Sequence, residues 1–160
     1  MEVLNIHKRI IEQPKIKVAD LFETLATDND KVWPSEQWPK MKFKEGVKEG
    51  SKGGHGPIRY TITKFIPKAY IQFEFTKPKG FNGYHQLEIK EFEMDKTEIK
   101  HTIKINTTGI GILTWALAVR WLHNALIEDA FDKVENQFSE NHKRTAWSFW
   151  VKFLRKVSTY

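Results

Sequence analysis

No cysteine occurs among the 160 residues, which excludes disulfides, thiolate nucleophiles and cysteine-ligated zinc. The opening residues, Met1-Glu2-Val3-Leu4-Asn5, lack the basic stretch and apolar run of a secretory signal. No apolar run approaches the roughly 20 residues that a spanning helix needs. These absences together predict a cytoplasmic protein. Signatures of metal and nucleotide chemistry are missing as well. No His-x-x-x-His spacing offers a zinc site, and no Gly-x-Ser-x-Gly offers a nucleophile. Gly53-Gly54-His55-Gly56 lacks the Gly-Lys-Ser/Thr ending of a phosphate loop and leads into a strand, so it reads as a tight turn at a sheet edge. Neither cofactor nor metal is expected, and no catalytic residue is assigned.

A strong charge imbalance is absent from most of the chain. The formal net charge is +6, but residues 139–160 carry five Lys and Arg against one Glu. That segment supplies +4, leaving +2 for residues 1–138. A basic groove for nucleic acid is therefore not indicated. What the chain does have is apolar and aromatic content. Hydrophobic residues make up 40%, aromatics 13% and charged residues 29%, the composition of a globular protein rather than a disordered one. Eleven Phe and six Trp either fill a core or line a cavity, and composition does not choose between these.

Periodicity orders the chain. Residues 3–12 alternate loosely, with Leu4, Ile6 and Ile10 on one side, and read as a strand ended by Gln13-Pro14. Val18, Leu21, Phe22 and Leu25 follow at helical spacing, predicting a short helix over residues 16–25. A strand is expected over residues 40–47, then an irregular Gly-rich turn over residues 50–57. Three amphipathic strands come next. Ile58, Tyr60 and Ile62 alternate with polar residues, as do Ile71, Phe73 and Phe75, and then His85, Leu87 and Ile89. A fourth, over residues 97–106, places Ile99, His101, Ile103 and Ile105 on one face. Residues 110–138 contain no proline and form the longest helical pattern. One side carries Ile112, Ala116, Val119, His123, Leu126, Ile127, Ala130, Val134 and Phe138, and the other carries Glu128, Asp132 and Glu135, of which Glu128 is expected in solvent. Asp129 and Glu128 diverge by about 100° and form no acid/base pair on one face. Strand, helix, strands, long helix is an α+β order.

That order, with the runs Trp33-Pro34, Trp38-Pro39-Lys40-Met41, Gly53-Gly54-His55-Gly56-Pro57-Ile58-Arg59-Tyr60, Phe81-Asn82-Gly83-Tyr84-His85 and Leu122-His123-Asn124-Ala125-Leu126, resembles the START-like or SRPBCC superfamily. These are helix-grip proteins, including polyketide cyclase-like and lipid-transfer-like members, and the similarity covers residues 3–138. The resemblance implies a curved antiparallel sheet wrapped around the long C-terminal helix, with a deep cavity between them. It implies no reaction, because the superfamily holds carriers, sensors and cyclases.

On this reading residues 1–138 form the grip, and a small apolar molecule is its expected partner. The cavity wall is expected to include Tyr60, Ile62, Phe73, Phe75, Leu87 and Ile103 from the sheet, with Val119 and Ile127 from the helix. His85, His101 and His123 are its polar points, either as ligand or acid/base groups or as satisfied core histidines. Arg59 faces outward by alternation and inward only if a bulge follows the Gly-rich turn. His55 stands where it would gate the cavity mouth. Trp33 and Trp38 either contact ligand or plug the gap beside the short helices. The chief functional expectation is a carrier or sensor. A cyclase- or dehydratase-type enzyme using a histidine and Tyr60 is the alternative.

Residues 139–160 resume helical spacing at Ala146, Trp147, Trp150, Val151, Phe153, Leu154 and Val157, with positive charge around the stripe. The favoured expectation is that this basic amphipathic tail packs on the same molecule, or on a second copy, over Leu117 and Trp121. Membrane contact is the less favoured alternative. The chain is expected to be a monomer or a homodimer.

Overall fold

A computed structural model of the chain describes residues 1–157, so the final three positions of the expected tail lie outside the described residues. The alternating segments form β4 (Ile58–Ile66), β5 (Tyr70–Lys77), β6 (Phe81–Glu93) and β7 (Lys96–Thr107). Short connections make each the antiparallel neighbour of the next. β1 (Glu2–Ile11) adds beyond β7, while β3 (Lys52–His55) and β2 (Lys42–Phe43) add beyond β4. The seven-stranded sheet thus has the order β1-β7-β6-β5-β4-β3-β2. Its inner face carries Tyr60, Ile62, Phe73, Ile99 and Ile103, none more than 2% exposed. Burying each such apolar side chain contributes about 1.5–3 kcal/mol.

The cover is a helix in three parts: α2 (Ile110–Thr114), a π-helical turn (Trp115–Val119) and α3 (Arg120–Asn136). The π turn takes up extra residues, so the phase of a regular helix does not carry through it. Ile112, expected inside, is exposed, and Trp115 is buried in its place. Segment Ile110–Glu135 is also long and apolar enough, by composition, to cross a membrane. The run-length reading missed this because scattered polar residues such as His123 and Asn124 interrupt the run. In this fold its C-terminal half lies on the sheet, with Leu126, Ile127, Phe131 and Val134 buried.

β1 has the opposite phase to the one expected. Leu4 and Ile6 face solvent, at 66% and 47% exposed, and Asn5, His7 and Arg9 face the helix. The reason is α3, whose supposed solvent face supplies their partners. Arg9 donates to Glu128 at 2.8 Å, Asp132 at 3.0 Å and Glu135 at 2.5 Å. His7 Nδ1 lies 2.7 Å from Glu128, and Asn5 donates to Asn124 at 3.1 Å. Glu128, Asp132 and Glu135 therefore latch the sheet edge to the helix, Asp132 buried and the two glutamates partly exposed.

The first helix, α1 (Lys15–Phe22), is shorter than expected and ends before Leu25. The strand expected over residues 40–47 contracts to Lys42–Phe43, and Gly53 and Gly54 belong to β3 rather than to a turn. Glycine is required there because a Cβ on Gly53 would stand 2.4 Å from the Phe43 ring, which crosses the strand at that point. The turn itself is Gly56-Pro57.

Past α3 the chain runs extended along the body and ends in α4 (Phe149–Val157). Thr145 N donates to Asp132 and Trp147 Nε1 to Asp129, while Val151 and Leu154 are buried. Leu117 and Trp121, which the tail was expected to cover, stay exposed, because α4 seats instead against Trp38 and the end of the cavity.

Candidate functional site

Two apolar clusters fill the grip. The larger joins α1, Trp33, Trp38 and the C-terminal half of α3 to β4, β5 and β6, and the smaller consists of Phe81, Ile103, Ile105 and Trp115. Between them lies a cavity of ≈ 110 Å³. A single water needs roughly 10–15 Å³ by this kind of measure, so there is room for a small molecule. Apolar walls come from Phe75, Phe81, Ile103, Trp115, Val119 and Ile127, and among the described residues no carboxylate lines the space.

Histidines occupy the seam. Register brings them together: Leu87 pairs with His101, Phe73 with His85, and His7 with His101, so these side chains share the inner face. The long helix lowers His123 onto them. The ring centroids of His7 and His123 are 5.9 Å apart, those of His123 and His101 4.9 Å, and those of His101 and His85 5.3 Å. Tyr60 continues the row 4.9 Å from His85, and His55 stands 6.0 Å from Tyr60 and 4.7 Å from Trp33. Five of the six histidines of the chain thus form one row of rings across the sheet.

Burial in this apolar setting disfavours the charged imidazolium. Desolvation, then the neighbouring His7 and His55, pushes His123 down to about 3. Burial, followed by Arg59, lowers His55 to about 4. For His85 and His101 burial, reinforced by His123, holds both well below the ordinary value. Burial raises the Tyr60 phenol above its normal range. All these groups are neutral near pH 7.

Their hydrogen bonding is incomplete. His85 Nδ1 and His101 Nε2 lie 3.2 Å apart and share one proton. The other nitrogens of these rings, both nitrogens of His123 and the Tyr60 hydroxyl are buried without a partner. Leaving such a group unpaired costs about 1–3 kcal/mol, and buried polar groups are ordinarily satisfied. Those of His85, His101 and His123 belong to residues that line the cavity.

Of the expected wall residues, Phe75, His85, His101, Ile103, Val119, His123 and Ile127 line the cavity. Ile62, Phe73 and Leu87 do not: they belong to the larger cluster, where Phe43 stacks on Phe73 at 5.9 Å and Phe22 and Leu25 lie beside Leu87. Tyr60 lines a neighbouring open groove instead, its ring reaching the cavity through His85. Trp33, Trp38 and His55 are at the cavity. Arg59 is exposed, donating to the carbonyls of Gly56 and Ile58, despite a register shift beside it.

Several wall residues escaped the sequence reading. Trp115 was hidden by the π turn, and Arg155 by the treatment of the tail as separate from the grip. The Arg155 guanidinium lies 4.6 Å over the Trp38 ring and donates to the Gln37 carbonyl, closing one end of the cavity. Phe81 stood in a motif run that carried the resemblance, but its position at the start of β6 gave no sign of its direction.

An antiparallel sheet gripping a long helix around an apolar cavity is a helix-grip fold. Solved structures agree with that fold. Norcoclaurine synthase from Thalictrum flavum, in complex with dopamine and hydroxybenzaldehyde, matches with a TM-score of 0.65 at 10% identity, over 88% of this chain and 90% of its own. A protein from Nitrosospira multiformis matches at 0.65 and 14% identity, over 90% and 100% of the two chains. CalU16 from Micromonospora echinospora matches at 0.58 and 14% identity, over 98% of this chain and 91% of its own. At these identities the likeness is one of fold alone. No protein-family model and no curated protein matches the sequence.

Proposed function

We propose that the protein binds a small, largely apolar molecule that carries a neutral hydrogen-bonding group, such as a hydroxyl or carbonyl, and acts as a carrier or sensor. The observation that carries this reading is the group of unpartnered nitrogens on His85, His101 and His123, three residues in the wall of an apolar cavity. A neutral imidazole offers one donor and one acceptor, which suits a neutral polar group. With no carboxylate among the described residues of the wall, a cationic ligand finds no counter-charge there. Norcoclaurine synthase, bound to dopamine and hydroxybenzaldehyde, is an example of small aromatic molecules held on this fold.

The enzyme alternative asks more of these groups. A general base works best with a pKa near the operating pH, whereas His123 is at about 3 and His55 at about 4. Burial also leaves the Tyr60 phenol a poor proton donor. These observations favour holding a ligand over transforming one.

Native mass spectrometry of freshly purified protein, followed by titration with an environment-sensitive dye, tests the reading. A copurifying small molecule, or saturable dye binding that Val119→Trp abolishes, is the expected result. Dye binding unchanged by Val119→Trp, with no copurifying molecule, would overturn it.

A further inference from the structure

Large apolar side chains stand in solvent along one side of the molecule. The long helix presents Ile110, Leu113, Leu117 and Trp121, and α4 presents Phe149, Trp150, Phe153 and Val157. Each is at least 38% exposed, and Phe149 is 83% exposed. The two stripes make one surface, because Trp150 Nε1 donates to the Leu117 carbonyl at 2.9 Å. Trp150 also stacks on Phe153, with centroids 5.3 Å apart. α4 is held to the body by other residues, Val151 and Leu154, so this outer stripe is not what anchors it. Contiguous apolar surface on this scale marks an interaction site.

The two segments that carry the surface supply charge of one sign. Residues 99–127 contain no Asp or Glu, and neither do residues 141–160. Its border carries exposed Arg120, Lys152 and Lys156. The Arg120 guanidinium lies 4.7 Å over the Trp121 ring. A second copy seated face to face would set these cations against their own counterparts across a twofold axis. An anionic bilayer complements them instead. Trp is favoured at the headgroup level, Phe and Leu reach the acyl boundary, and nearby Lys and Arg are attracted to the anionic surface.

We propose that the outer face of residues 110–121 and α4 docks on the surface of a bilayer containing anionic lipid. Folding back and meeting a membrane are not rivals for this tail, since its inner edge faces the body and its outer edge faces away. The inference stands apart from the cavity's occupant. Trp115, Val119 and Leu122 on the same helix do wall the cavity, so the docked face would bring that wall to the lipid.

Cosedimentation of the full chain with vesicles tests this. Phosphatidylcholine vesicles with about 30 mol% phosphatidylglycerol should retain the protein, and pure phosphatidylcholine should retain roughly tenfold less. Raising salt from about 0.1 M to about 0.5 M should weaken the binding. Phe149→Ser with Phe153→Ser should reduce it at least about tenfold without changing the melting temperature, because both rings lie outside the core. Lys152→Glu with Lys156→Glu should remove the preference for anionic vesicles. Met94→Ser, at an exposed apolar residue on the β6–β7 turn, should change nothing. Failure of the wild-type chain to bind anionic vesicles would overturn the proposal. So would a stable dimer that Phe149→Ser with Phe153→Ser converts to monomer, since a second copy would then be the occupant.

Discussion

His85 Nδ1 lies 3.2 Å from His101 Nε2, and burial keeps both rings neutral, so one ring donates to the other and each is left with one free nitrogen. His123, whose ring is 4.9 Å from His101, has no partner at either nitrogen. The fold therefore gains little from the His123 imidazole and bears the cost of its desolvation. His123→Leu should leave stability unchanged or raise it by about 1 kcal/mol, because an unsatisfied buried group is replaced by an apolar one of similar size. Chemical denaturation measures this. The same variant should weaken a hydroxyl- or carbonyl-bearing ligand and spare a purely apolar dye. Unfolding of His123→Leu would show that the ring is a structural residue.

The pH dependence of stability follows from the same rings. Folded His55 and His123 titrate at about 4 and about 3, against 6.5 when unfolded. Below pH 6.5 the unfolded chain binds protons that the folded chain refuses, so stability falls as pH falls. Each such histidine contributes a slope of about 1.4 kcal/mol per pH unit until its folded pKa is reached. His85 and His101, also depressed, add to the loss. Asp129, raised mainly by burial, acts in the opposite sense and takes back part of it. Glu88 is brought to about 2 despite its burial by Lys100, Lys90 and Gln86, and matters only below its unfolded value of 4.5. Melting temperature should therefore drop steeply between about pH 6.5 and about pH 4.5, and the drop should be shallower in His123→Leu. A flat profile over that window would contradict the buried neutral row.

At the sheet edge Arg9 meets three carboxylates of α3, and its side chain is only 15% exposed. Arg9→Met keeps the bulk but leaves Asp132, itself 4% exposed, without its cation. Breaking a buried ion pair from one side costs about 3–5 kcal/mol. Urea unfolding of Arg9→Met should show a loss of that order. Restoring neutrality with Asp132→Asn in the same chain should recover part of it.

That latch also shows where sequence reasoning stops. β4 to β7 were legible because each alternates apolar and polar residues cleanly, which placed His85 and His101 inside, while helical spacing placed His123. β1 was legible as a strand but not in phase. Leu4 and Ile6 looked like its inner face, and only the register of Glu128, Asp132 and Glu135 along a distant helix turns Asn5, His7 and Arg9 inward. The wall contributed by Trp115 depends on a π turn that no periodic pattern announces. Ile62, Phe73 and Leu87 were read as inward and are buried, but inward residues divide between core and cavity according to what covers them, and that cover, such as Phe43 on Phe73, comes from distant segments.

The tail offers the last test, through Asp129. Its Oδ2 accepts from Trp38 Nε1 at 2.7 Å and from Trp147 Nε1 at 2.8 Å, so one carboxylate pins the loop after α1 and the C-terminal segment to the same turn of α3. The Trp38 and Trp147 rings are 5.4 Å apart, and Arg155 lies over both. Trp147→Phe keeps most of the packing and removes one donor to a buried carboxylate, a loss of about 1.5–3 kcal/mol. Deleting residues 143–160 removes that donor, the Thr145 amide that reaches Asp132 and the buried Val151 and Leu154. Each of these two aliphatic side chains adds about 1.5–3 kcal/mol, so the deletion should cost distinctly more than Trp147→Phe. It should also open the cavity end that Arg155 closes, and dye bound there should become more accessible to a soluble quencher. Equal stability of the deletion and the full chain in urea, with unchanged quenching, would mean that the tail is an appendage and that Asp129 is satisfied by Trp38 alone.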